Sequence, residues 1–96
     1  MSESITRTMV VTNPEGIHAR AAVAIAETVR RGKSRVIMVK DQRRIEATDV
    51  LQLLTMAAGQ GERVEVEAAG PDAAAVLDAL EPLFAGLFGD EAKKSE

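Results

Sequence analysis

The chain contains one histidine, His18, in the stretch "NPEGIHARAAVAIAETV" at residues 13 to 29. It follows a proline–glycine turn, stands two positions before Arg20 and opens a run with helical spacing. A neutral imidazole is a nucleophile, and its charge changes near physiological pH. The first N–H groups of a helix lack intrahelical partners and carry partial positive charge, so a helix start attracts anions. With His18 at about the N-cap, the backbone amides of Ala19, Arg20 and Ala21 lie behind it. Arg20 adds a guanidinium that holds phosphate oxygens in a bidentate way. This arrangement suits attack of the imidazole on a phosphoryl group, with the product dianion meeting donors already in place. Taken singly, His18 also reads as an ordinary surface histidine and Arg20 as a solvated charge. It is their joint position that points to chemistry.

Other chemistries fit poorly. There is no cysteine and no second histidine, so no Cys/His metal set and no disulfide framework can be assembled in one chain. No nucleophile-elbow or triad motif accompanies His18. No cofactor is implied. Phe84 and Phe88 are the only aromatic residues, and the net charge is -3. Both features argue against nucleic-acid binding, which uses aromatic platforms and positive charge. The leader "MSESITRT" has neither a basic segment nor an apolar core, and no run approaches the length of a membrane span. A cytoplasmic protein with no membrane insertion is expected.

The elements that must position the histidine follow from periodicity. Residues 5 to 12, "ITRTMVVT", read as a strand and "NPEG" as a turn. Ala22, Ile25, Ala26 and Val29 make one apolar stripe of a first helix, stopped near Gly32 after Arg30 and Arg31. "SRVIMVK" and "RRIEA" read as a hairpin around Asp41 and Gln42, without a strong Asn-Gly signal. A second helix starts near Val50, with Val50, Leu53, Leu54 and Ala57 on one face. "RVEVEAA" alternates cleanly, which implies an antiparallel sheet with one wet face. "GPDAAAVLDALEPLFAGLF" is a third helix with Ala73, Val76, Leu77, Leu80 and Phe84 inward, and Pro82 predicts a kink or break near Leu80 to Glu81. The order is β-α-β-β-α-β-α. The expected fold is α+β: an open-faced sandwich of a four-stranded antiparallel sheet with three helices over one face. One domain is expected over residues 5–88, between a disordered start (1–4) and a disordered charged tail (89–96).

The segment "GIHARAAVAIA" resembles the active-site segment of the histidine-containing phosphocarrier (HPr) family of the bacterial phosphotransferase system. The element order is also that family's, and the likeness spans roughly residues 5 to 88. The second half, from "LLTMAAGQG" onward, looks especially like the nitrogen-related branch, NPr. The resemblance implies that His18 takes a phosphoryl group on Nδ1 and that Arg20 assists transfer. It implies phosphorylated enzyme I, charged by phosphoenolpyruvate, as donor and an enzyme II A-type component as acceptor. A monomer is expected, acting as a phosphoryl carrier and not as a turnover enzyme.

Two positions depart from the family pattern. Ala21 stands where the family usually has proline, which adds an N–H near the phosphate and loosens φ. Asp49 aligns with a serine that a regulatory kinase phosphorylates in some members. With Gln52 three residues on, Asp49 also reads as a helix cap in a capping-box arrangement, and Thr48 offers a hydroxyl one position out of register. Val50, Leu51 and Leu54 match the family's partner-docking positions, and Leu51 falls outside the buried stripe. The basic run Arg30, Arg31, Lys33 and Arg35 reads as a helix-end cluster, with steering of an acidic partner as the alternative. Two other readings stand beside the carrier: a signalling interaction module of the same fold that binds regulators without passing phosphate onward and, more distantly, a small-ligand-binding α+β domain. The pair His18 and Arg20 favours the carrier.

Overall fold

The computed structural model describes residues 4–56 and 58–88. The elements run β1 (Ser4–Val10), α1 (Ala19–Arg31), β2 (Arg35–Lys40), β3 (Arg43–Glu46), α2 (Val50–Met56), β4 (Arg63–Ala69) and α3 (Ala73–Phe84), the order expected. The strands form one antiparallel sheet in the order β1-β4-β2-β3. β4 is therefore central, flanked by β1 in the register Met9↔Val64 and by β2 in the register Met38↔Val66.

Period-two alternation decides which face is covered. Met9, Val36, Met38, Ile45, Val64, Val66 and Ala68 point to the helices and are buried. Beneath them lie Ile25 and Ala22 of α1, Leu53 of α2, and Leu77, Leu80 and Phe84 of α3. The wet face carries cross-strand ion pairs. Arg44 clasps Glu67 with two bonds of 3.1 and 2.8 Å, and Arg35 Nε donates to Glu46 at 2.8 Å. The β2–β3 hairpin closes at Asp41 and Gln42, both in the left-handed region at φ 52 and φ 70. Two such residues match the twist of the flanking strands, so the tight turn forms without glycine.

Three details differ from the sequence expectation. β1 starts at Ser4, which pairs with Ala69, so Ser4 belongs to the sheet and not to a disordered start. The chain leaves β1 at Val10, although Val11 stays buried. α3 does not break at Pro82 but continues to Phe84. The carbonyl that Pro82 leaves without an N–H is that of Asp78, on the exposed side of the helix, where water can serve it. The expected second-helix position Ala57, residues 1–3 and the tail 89–96 lie outside the described residues.

Candidate functional site

The loop that presents the histidine is held from three directions. At its start, the buried Asn13 receives the N–H of Glu15 on its side-chain oxygen and donates its Nδ2 to the carbonyl of Gly16 at 3.0 Å. The Gly16 N–H returns to the Asn13 carbonyl at 2.9 Å, closing a turn around Pro14 and Glu15. Next, the Ile17 N–H donates to Ala58 O at 2.9 Å, which ties the loop to the chain just past α2. Gly16 has φ +69, and a Cβ there would lie 2.7 Å from that same Ala58 oxygen, so only glycine fits. Finally, Thr12 and Asn13 donate their N–H groups to Phe84 O, the end of α3.

His18 is the N-cap of α1, with extended φ -93 and ψ -171, and its carbonyl accepts the first helical bond from Ala22 N–H at 2.9 Å. Its Nδ1 accepts the Arg20 N–H at 3.2 Å, while its Nε2 faces Glu15 Oε1 at 2.9 Å. These contacts fit one neutral tautomer, with the proton on Nε2 and the lone pair on Nδ1. The side chain is one-third exposed, so the ring is reachable yet oriented. Ala19 and Arg20 are exposed at the same helix end, while the Ala21 side chain is buried beneath it.

The far end of the chain completes the site. After α3, the Leu87 N–H bonds Pro82 O at 3.0 Å and the Gly86 N–H bonds Leu83 O at 3.1 Å, with Gly86 at φ 85. This is a Schellman ending, which turns the chain sharply back. A Cβ on Gly86 would meet the Asn13 side-chain oxygen at 2.9 Å, so the turn is seated directly on the histidine loop. Phe88 is thereby brought to the site. Its ring meets the His18 ring edge-on at 6.2 Å and lies 5.0 Å from the Arg20 guanidinium carbon. Together with Ala19, Arg20, Val23, Ala24 and Glu27 it lines an open groove beside the histidine. Phe88, Glu15 and Asn13 are site residues that sequence reasoning did not assign. Phe88 is remote in sequence, and the role of Asn13 depends on the turn it closes.

α2 lies against α1, and its surface adjoins this loop through Ala58. Leu51 is exposed at 75%, whereas Val50 and Leu54 are half-buried against the core. Of the three expected docking residues, Leu51 alone stands fully outward. Asp49 caps α2, its Oδ1 accepting the Gln52 N–H at 3.1 Å. The Asp49 N–H goes to Glu46 O at 3.0 Å, so the backbone supplies what the second half of a capping box would supply. Three side chains of the basic run are engaged within the protein: Arg30 donates to Thr48 O at 3.0 Å, Arg31 lies 4.0 Å from Glu27, and Arg35 pairs with Glu46. The Lys33 bond to Asp72 is made by its backbone N–H.

Comparison with known proteins shows the family. The family described as "PTS HPr component phosphorylation site" matches residues 5–86. The chain belongs to the HPr family of phosphotransferase-system phosphocarriers. The phosphocarrier protein HPr of Treponema pallidum is 37% identical over 87 residues, covering 91% of this chain and 99% of that one. The phosphocarrier protein NPr of Escherichia coli K12 is 32% identical over 89 residues, covering 92% and 99%. Among solved structures, HPr of Thermoanaerobacter tengcongensis superposes with a TM-score of 0.80 at 27% identity, covering 88% of this chain and 96% of that one. The open-faced sandwich is thus the HPr fold, and the helix-capping histidine lies within the matched segment. Among the described residues no helix is long and apolar enough to cross a membrane.

Proposed function

We propose that this HPr-family chain carries its phosphoryl group on Nδ1 of His18, receiving it from phosphorylated enzyme I and passing it to an enzyme II A-type component. The supporting observation is the orientation of His18: Nδ1, the atom with the lone pair, faces the amide end of α1, while Nε2 is engaged elsewhere. Attack from Nδ1 leaves the transferred phosphoryl oxygens beside the amides of Ala19, Arg20 and Ala21, where the helix dipole favours negative charge. Arg20 follows the oxygens with its guanidinium. The Ala21 N–H adds a donor that proline at that position would lack. The chain acts in the cytoplasm as a monomer, over a domain of residues 4–88. It is a carrier and not a turnover enzyme, because the covalent phosphohistidine is its product.

Partners approach over the histidine end, with Leu51 as the exposed apolar contact and Val50 and Leu54 as its base. Asp49, at the position of the regulatory serine, offers a kinase no hydroxyl and keeps a fixed charge at the start of α2. The test is incubation with phosphoenolpyruvate and enzyme I, followed by measurement of acid-labile phosphate. The wild-type protein should take one phosphoryl group. His18→Ala should take none while keeping its circular dichroism. Acid-labile phosphate on the alanine variant would overturn the assignment.

A further inference from the structure

Glu15 belongs to the turn that precedes the histidine, and its carboxylate lies 2.9 Å from His18 Nε2. The backbone on which it stands is fixed: its own N–H donates to the buried Asn13, and the residues on either side are Pro14 and the sterically required Gly16. The carboxylate oxygen stands within hydrogen-bonding distance of Nε2, and the Arg20 N–H donates to Nδ1 at 3.2 Å. The bond to Nδ1 leaves the neutral ring's proton on Nε2, and the Glu15 carboxylate stands where that proton and any positive charge on the ring face it, as a carboxylate does behind a reactive imidazole.

We propose that Glu15 is a positioning residue for phosphoryl transfer, keeping the Nε2 proton in place and balancing the charge that the ring gains when Nδ1 bonds phosphorus. This inference rests on the carrier reading of His18. In the step, the Nδ1 lone pair forms the N–P bond. The bond from phosphorus to the leaving group of the phosphorylated donor protein breaks, and its electron pair leaves with that group. No proton moves. Because Nε2 keeps its hydrogen while Nδ1 becomes substituted, the ring turns cationic, and the positive charge faces the Glu15 carboxylate. On transfer to an acceptor the ring returns to neutrality with the same proton on Nε2, ready for another cycle. Glu15 thus favours the phosphorylated state without touching the phosphoryl group.

Having a single histidine makes the test clean, because one imidazole gives the whole signal. Long-range 1H–15N correlation spectra of the wild-type protein should show the neutral ring protonated at Nε2 and bare at Nδ1. A proton found on Nδ1 would overturn the inference whatever happens with phosphate. Phosphoryl occupancy is then measured at a fixed ratio of phosphoenolpyruvate to pyruvate with enzyme I present. Glu15→Gln keeps an acceptor oxygen and the size of the side chain but removes the charge. Because the carboxylate is 75% exposed, its ratio of charged to uncharged carrier should fall about two- to fivefold at low salt. The difference should close as salt is raised, since an exposed pair is screened. Equal occupancy of the two proteins at low salt, or a difference indifferent to salt, would overturn the role of Glu15. A wild-type protein that took no phosphate at all would instead overturn the carrier reading, and this inference with it.

Discussion

At the scale of single residues, the site divides into parts legible from neighbours and parts that only the folded chain brings together. His18 and Arg20 were readable because a nucleophile, a guanidinium and a helix start occur within one short stretch. Phe88 was not, because it reaches the site only through the Schellman turn after α3, with 69 residues between it and His18 in sequence. Arg20→Lys keeps the charge and loses the fork, so transfer from enzyme I should slow while the unfolding free energy stays within about 0.5 kcal/mol of wild type. Equal rates for the lysine, alanine and wild-type proteins would remove Arg20 from the transfer step. Phe88→Leu keeps apolar bulk beside the guanidinium but loses the ring quadrupole. A cation–π contact at an exposed site contributes about 0.5–1 kcal/mol, so transfer should drop by no more than about fivefold. Phe88→Tyr should restore it. Failure of tyrosine to outperform leucine would leave Phe88 as packing only.

At the scale of elements, periodicity located every strand and helix among the described residues, and what it missed lay at their ends. The buried stripe of α1 is the expected one with Ala21 added. The hairpin at Asp41 and Gln42 was hard to see because neither residue advertises a left-handed conformation, although both adopt it. Asp49 was readable as a cap, and its own bond confirms the local role without touching the question of partners. Asp49→Ala should cost about 1 kcal/mol in denaturant melts, whereas Asp49→Ser should cost almost nothing because serine is also a good cap. If the carboxylate tunes docking as well, the serine variant will accept phosphate at a different rate, and that gap will narrow with salt. Leu51→Glu should weaken binding to enzyme I by far more than it lowers stability, as the side chain has little packing to lose. A large stability loss with unchanged affinity would place Leu51 in the core.

At the scale of the whole molecule, stability and site are joined through contacts between distant segments. Asp72 stands at the N-cap of α3 yet makes no side-chain bond to its own helix. Its carboxylate instead accepts from the Ser34 hydroxyl and from the Lys33 N–H, clasping the start of β2 to the start of α3. The Ser34 bond first, then the backbone bond from Lys33, holds the Asp72 carboxyl below its ordinary range. A depressed carboxyl stabilises the fold fully above its unfolded-state value and ceases to do so as pH falls through the folded one. Asp72→Asn should therefore be less stable than wild type at neutral pH, and the deficit should shrink as pH drops below about 4. A deficit that stayed constant in urea melts down to acid pH would remove the charge from the account. The sheet order carries a further consequence, one of timing during synthesis. The first 56 residues contain His18, Arg20 and all of α1. Every backbone carbonyl that receives an N–H of residues 11, 12, 13 and 17 from outside the loop lies later: Ala58, Glu62 and Phe84. Even β1 pairs, among the described residues, with Arg63–Ala69 alone. Such long-range pairings close late compared with local helices. A nascent chain thus displays His18 long before the bonds that hold its loop can form. On the proposed role of His18, a phosphorylation assay on ribosome-stalled chains of increasing length should switch on only after Phe84 has emerged.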